Sequence, residues 1–116
     1  MNLILRFSFC VAFFAVGFLS LLPAEHLPSV AFDWWDKAQH ALAFMVLGSL
    51  GLLAYSSKSS NVVFGLLMYG ALIELAQAAT GWRYGDWQDW VADAVGVVVA
   101  YLGWWVIVPK NQRPEK

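Results

Sequence analysis

The chain has 116 residues, 60% apolar and 13% charged, with a net charge of −1 and a mean hydropathy of +0.60. A soluble domain is roughly 45–50% apolar and about 25% charged. These values exclude a disordered chain, a coiled coil and a basic nucleic-acid module, and they argue against a soluble globule.

The charge-free intervals predict the helices. Arg6 and Glu25 bracket 18 uncharged residues, and Lys37 and Lys58 bracket 20. Each can hold a spanning helix, which needs about 20 residues with a range of ~17–25. The third interval, Ser59 to Ile73, has 15 residues and reaches membrane length only if Glu74 lies inside. The fourth, Ala94 to Pro109, has 16 and requires Asp93 at membrane depth. The pattern predicts an all-α polytopic membrane protein with four transmembrane helices, at about 4–22, 37–55, 61–80 and 87–108. Residues 1–110 form one four-helix domain in this reading, and 111–116 a polar tail.

The connections are short. Pro23 and Pro28 stop the first helix before Asp36. Ser56 to Asn61 is a polar turn. Gly81 opens the third connection, as suits a helix C-terminus. The first segment is too long for a signal-peptide core of ~7–15 residues, and Leu22-Pro23-Ala24 is a poor cleavage site. It reads as a permanent helix. Cys10, the single cysteine, allows no intramolecular disulfide and no cysteine-based zinc site. It reads as a small buried apolar residue.

Orientation follows from the basic residues. Arg6, Lys58, Lys110, Arg113 and Lys116 fall on one side, Lys37 and Arg83 on the other. The positive-inside rule then puts both termini in the cytoplasm of a bacterial inner membrane. Trp34, Trp35, Trp82, Trp87 and Trp90 form an outer interfacial belt, and Trp104 and Trp105 an inner one. Stacking of a substrate on Trp34, Trp35 or Trp82 is the alternative to anchoring.

Seven of the charged side chains gather near the outer ends of helices 2 to 4: Asp36, Lys37, Glu74, Arg83, Asp86, Asp89 and Asp93. His40 and Gln77 join them. Asp36 and His40 are i and i+4, Glu74 and Gln77 are i and i+3, and Asp86, Asp89 and Asp93 form one stripe. Charges facing lipid are costly, so the three faces turn toward one another. At 1.5 Å per residue, Glu74 lies ~12 Å below Trp82, and His40 and Asp93 each ~6 Å deeper than Asp36 and Asp89. Five carboxylates then face two fixed cations. Such a set keeps some protons, holds a metal cation, or takes a cationic or hydroxyl-rich ligand.

Each residue has a plainer reading beside the functional one. Asp36 and Asp86 can cap helices. Lys37 can snorkel to headgroups or pair with an acid of helix 4. His40 is either a hydrogen-bonded core histidine or an acid/base or ligand group. Glu74 is a functional acid or a structural ion-pair partner of Arg83 or Lys37. Gln77 bonds between helices or touches a ligand. Arg83 anchors at the interface or binds an anion bidentately. Asp89 and Asp93 are the deeper acids and the candidates for a divalent cation with oxygen ligands. Gly96 between Ala92 and Ala100 marks close helix packing. His26 has no spacing partner and receives no role.

Three blocks together resemble the VanZ-like family of small bacterial membrane proteins. They are Asp36-Lys37-x-x-His40-x-x-x-Phe44, Glu74-x-x-Gln77, and Arg83-x-x-Asp86-x-x-Asp89-x-x-x-Asp93-x-x-Gly96, within residues 34–100. The chain departs from the family pattern at Asp86, where serine is common, at Asp93, where asparagine is common, and at Ala100, where glycine is usual. The resemblance implies a cell-envelope setting, since the family's name member is associated with resistance to the glycopeptide teicoplanin.

These readings combine into a pocket at the outer leaflet. Glu74, His40 and Asp36 are the candidate acid/base groups. Asp89 and Asp93 are candidate ligands of a divalent cation. Lys37, Gln77, Arg83 and Asp86 are candidate contacts to a ligand. Expected partners are membrane lipids and a lipid-linked envelope precursor or glycopeptide, with no nucleic acid. The alternatives are a small proton- or cation-coupled transporter and a structural membrane subunit. The inner halves of the helices carry no ionisable residue, which weighs against a through-route.

Overall fold

The computed structural model describes residues 2–22, 32–81 and 87–112. Pro23, His26, Pro28, Trp82 and the tail from Arg113 onward lie outside them, as do the side chains of Trp34 and Trp35. The chain forms α1 (Asn2–Ser20), α2 (Phe32–Ala54), α3 (Ser59–Thr80) and α4 (Trp87–Ile107), with short 3₁₀ turns at Ser56–Lys58 and Lys110–Gln112. All four helices are long and apolar enough to cross a membrane. Even α1, the shortest at 19 residues, reaches ~28 Å at 1.5 Å per residue, close to the ~30 Å hydrocarbon core.

α1 lies two residues earlier than expected at both ends, and the starts of α2 and α3 also differ. α2 starts at Phe32, not near Lys37, because no proline or glycine separates the two. Asp36 therefore stands inside the helix, not at its start, and its reading as a cap is corrected. The polar turn after α2 is shorter than expected, and Ser59 begins α3 as a buried residue. α3 ends at Gly81, whose φ of 83° is the left-handed cap that glycine takes without strain.

α2 and α4 make the most extensive pairing. Small residues permit it. A β-carbon on Gly96 would overlap the carbonyl oxygen of Ala41, and one on Gly48 would lie 2.8 Å from the Ala100 β-carbon. In lipid, where apolar surface supplies no drive to associate, such backbone approach is a main source of helix–helix attraction. Around this crossing sit Phe44, Leu47, Leu66, Ile73 and Val97, and further along Leu52, Ala100 and Trp104. α1 packs mainly on α2 and is also tied to α3. There the Tyr69 ring stacks on Phe13 at 3.8 Å, and its hydroxyl donates to the Phe13 carbonyl. Gly17 makes room for that hydroxyl.

The exterior is apolar. Leu3, Phe7, Phe14, Phe64, Leu75 and Val106 are all largely exposed, while His40, Ser59, Glu74, Gln77, Asp89 and Asp93 are buried. Cys10 also faces outward on α1, correcting its reading as buried. α1 is the outermost helix, and its core-facing side is filled by Phe9, Ala12, Phe13 and Val16. Trp104 is buried, and Trp90 sends its indole N–H to the Leu67 carbonyl at 2.9 Å. Both do more than anchor at an interface.

Candidate functional site

The bundle has two unlike ends. One carries Arg6 over the Tyr55 ring at 4.9 Å, with Lys58 following in the turn after α2. The other gathers Lys37 and His40 of α2, Glu74 and Gln77 of α3, and Asp89 and Asp93 of α4. His40, Glu74, Gln77, Asp89 and Asp93 are all buried.

His40 is the hub. Its Nδ1 lies 2.8 Å from Asp93 Oδ1, and its Nε2 lies 3.8 Å from Asp89 Oδ2. The first is a hydrogen bond and the second is an ionic contact beyond hydrogen-bond length. With Asp93 ionised the carboxylate only accepts, and Nδ1 is the donor in that bond. Nε2 is then turned toward Asp89, with a lone pair in neutral imidazole or a proton in imidazolium. Lys37 Nζ lies 3.4 Å from Asp89 Oδ1, the pairing with a helix 4 acid that was one of its two readings. His40 thus bonds across helices to Asp93, 53 residues along the chain, and its pairing with Asp36, one turn away, involves a side chain outside the described residues.

Glu74 closes the third side. One imidazole nitrogen of His40 and one carboxylate oxygen each of Glu74 and Asp89 lie within 4.8 Å of one another. Two donors on opposite sides of an ion bound at ~2.0–2.2 Å are ~4.4 Å apart. Only one pair can be opposite, and the other donors on the same ion lie ~3–3.7 Å apart, so these three can share a cation once their side chains draw together. One nitrogen and two oxygens suit a borderline or hard divalent ion. Asp93 on Nδ1 would then orient the imidazole from behind, the usual arrangement of a metal-bound histidine.

Gln77 is fully buried, and its Nε2 donates to the Ser20 carbonyl of α1 at 2.8 Å. That is the bond between helices of its plainer reading. Gly70 was not anticipated. A β-carbon there would lie 2.9 Å from Asp93 Oδ2 and 3.3 Å from the Trp90 ring, so only glycine leaves room for the carboxylate. The available signal was its position four residues before Glu74, on the same helix face. Arg83, Asp86 and the side chain of Asp36 lie outside the described residues.

Four helices long and apolar enough to cross a membrane, three of them burying a histidine among carboxylates, suggest a multi-pass membrane protein with polar chemistry turned inward. The family model described as VanZ/LLP1 matches residues 1–108, and the chain belongs to that family. No curated protein and no solved structure matches it.

Proposed function

We propose that this VanZ-like protein acts at the bacterial cell envelope. In this reading it lies in the inner membrane with both termini in the cytoplasm, and its polar cluster opens toward the outer leaflet. There it binds the polar part of a lipid-linked envelope precursor or of a glycopeptide. The supporting observation is the buried His40–Asp93 hydrogen bond, which turns Nε2 toward Asp89 with Glu74 alongside. An imidazole backed by a carboxylate binds a hydroxyl or a cation, and it can also move a proton between partners. Lys37, and Arg83 by its sequence position, supply positive charge for an anionic headgroup. Antibiotic resistance enters by family analogy alone.

A second reading rests on the His40, Glu74 and Asp89 donor set, which favours a divalent cation as the bound species or as a bridge to an anionic ligand. A through-membrane ion path is disfavoured. Phe44, Leu47, Leu52 and Val97 are buried along the helix pair past the cluster and offer no polar relay.

The test is thermal unfolding of the detergent-purified chain with Mn²⁺, Mg²⁺, Zn²⁺, a lipid-linked precursor or teicoplanin. A ligand at 100 times its Kd adds ~2.7 kcal/mol to the folded state. The expected result is a rise in midpoint for at least one of these, absent in Glu74→Gln and His40→Ala. A precursor or glycopeptide shift supports the envelope role, and a shift by metal alone supports the cation reading. No shift with any of them, and variants that only melt earlier, would make the cluster structural.

A further inference from the structure

The buried cluster is rich in acceptors and in negative charge. Glu74, Asp89 and Asp93 are each more than nine-tenths buried. Across the whole polar set, five carboxylates stand against Lys37 and Arg83. Gln77, one turn past Glu74 on the same face of α3, adds a fully buried amide oxygen with no hydrogen-bond partner among the described residues. Buried charge of one sign and a buried acceptor are both costly, and a cation relieves them.

Distances within the cluster divide its residues by role. His40 Nε2 and Asp89 Oδ2 are 3.8 Å apart, too far for a hydrogen bond and close to the ~3–3.7 Å between neighbouring donors on one ion. Glu74 offers a third donor within 4.8 Å of both residues' ligand atoms. Asp93 is placed differently. Its Oδ1 lies against Nδ1, on the other side of the ring from Asp89, and its Oδ2 fills the space that Gly70 leaves by having no side chain. A carboxylate so held fixes the orientation of the imidazole. Lys37 meets Asp89 through the other oxygen, Oδ1, at 3.4 Å and from a partly exposed position. A lysine stem can swing its ammonium out to the headgroups, whereas Asp89 is fixed in the first turn of α4.

We infer that one divalent cation binds to His40 Nε2, Glu74 and Asp89, that Asp93 is a positioning residue for the imidazole, and that the Lys37 ammonium is the resident counterion of Asp89, displaced outward when the ion enters. The inference rests on the cation reading of the same site and deepens it: ion and lysine compete for one carboxylate, and the displaced ammonium is then available to an anionic ligand.

The full chain in detergent, freed of metal by chelation, is titrated with Mn²⁺ and followed by electron paramagnetic resonance. The expected result is one Mn²⁺ per chain, with the nitrogen coupling of a coordinated imidazole. Glu74→Gln and His40→Gln should lose the site. Asp93→Asn keeps an acceptor for the Nδ1 proton and should bind about tenfold more weakly with the coupling retained, and Asp93→Ala about a hundredfold more weakly. Lys37→Gln should bind Mn²⁺ about fivefold more tightly, the worth of an ion pair that no longer has to be broken. Helicity and gel filtration confirm that each variant folds, and the wild-type nitrogen coupling is read without any variant. No bound Mn²⁺, bound Mn²⁺ without nitrogen coupling, Asp93→Ala at wild-type affinity, or Lys37→Gln no tighter than wild type would overturn the proposal. A lipid-linked precursor or teicoplanin that raises the melting midpoint in chelator, with no Mn²⁺ site, would leave the envelope role standing and this proposal refuted. A nitrogen-coupled Mn²⁺ site in a chain that neither compound stabilises would do the reverse.

Discussion

α2 and α4 cross once, and the two halves of their contact are built from different chemistry. Toward one end the interface holds His40, Asp89 and Asp93, with Glu74 of α3 beside them. Toward the other it holds Leu52, Ala100 and Trp104. The apolar half shows that this helix pair can be closed with ordinary packing. The polar half therefore is not required for closure, and it carries a desolvation penalty that apolar groups avoid. Replacing a buried ion pair by well-packed apolar residues is often neutral or stabilising by ~1–4 kcal/mol. The proposed binding role would account for that polarity.

The largest effect should come from the point where the halves meet. Gly96→Val would drive a side chain into the Ala41 carbonyl and separate the helices. Backbone overlap cannot be relieved by a rotamer change, so the loss should exceed the ~1–3 kcal/mol typical of overpacking. Thermal unfolding in detergent should show the whole bundle melting early or failing to assemble. A variant with wild-type stability would mean that the two helices do not cross here.

The polar half is tested next by single and paired changes. His40→Ala takes a hydrogen bond from buried Asp93 and an ionic contact from Asp89, and should cost ~3–5 kcal/mol. The double variant His40→Leu/Asp93→Leu removes both members of the bonded pair and should recover a large part of that loss. The same variant should lose every ligand-induced shift in melting. Stability recovered without binding sharpens the contrast between the halves. A double variant as unstable as His40→Ala would show that the polar pair does hold the bundle together.

The smallest effect belongs to the rim. Lys37 is 30% exposed, and its contact to Asp89 is 3.4 Å long. Such a pair is worth ~0–1 kcal/mol, so Lys37→Gln should scarcely move the melting midpoint. Its effect should appear instead as weaker binding of anionic ligands. A large loss of stability would place Lys37 in the core of the site.

Much of the fold was legible in the chain. Four intervals without charge, with Glu74 and Asp93 admitted to two of them, correspond to four helices, and Gly81 marks the end of α3. The misplaced start of α2 shows the limit of this reading. Charge spacing marks where a membrane is comfortable, but a helix continues until its backbone is interrupted, and Phe32 to Lys37 contains no interruption. The site was legible as a set of residues and not as a set of bonds. Spacing offers His40 its local neighbour Asp36, but it gives no sign of the hydrogen bond to Asp93 on another helix. Trp104 carries no sign in the sequence of what it faces, and Gly70 only its place one turn before Glu74.

The reason lies in the solvent. Hydropathy is a property of each segment by itself, so the number and length of the helices, and the presence of carboxylates at membrane depth, follow from composition along the chain. How each helix is rotated about its axis does not. In water an apolar stripe reveals the buried face, but these helices are apolar on nearly every side. Rotation is decided by where backbones can touch, at Gly48 and Gly96, and by which buried polar groups must meet. Those contacts join residues about fifty positions apart, and only the packed bundle brings His40, Glu74, Asp89 and Asp93 into one site.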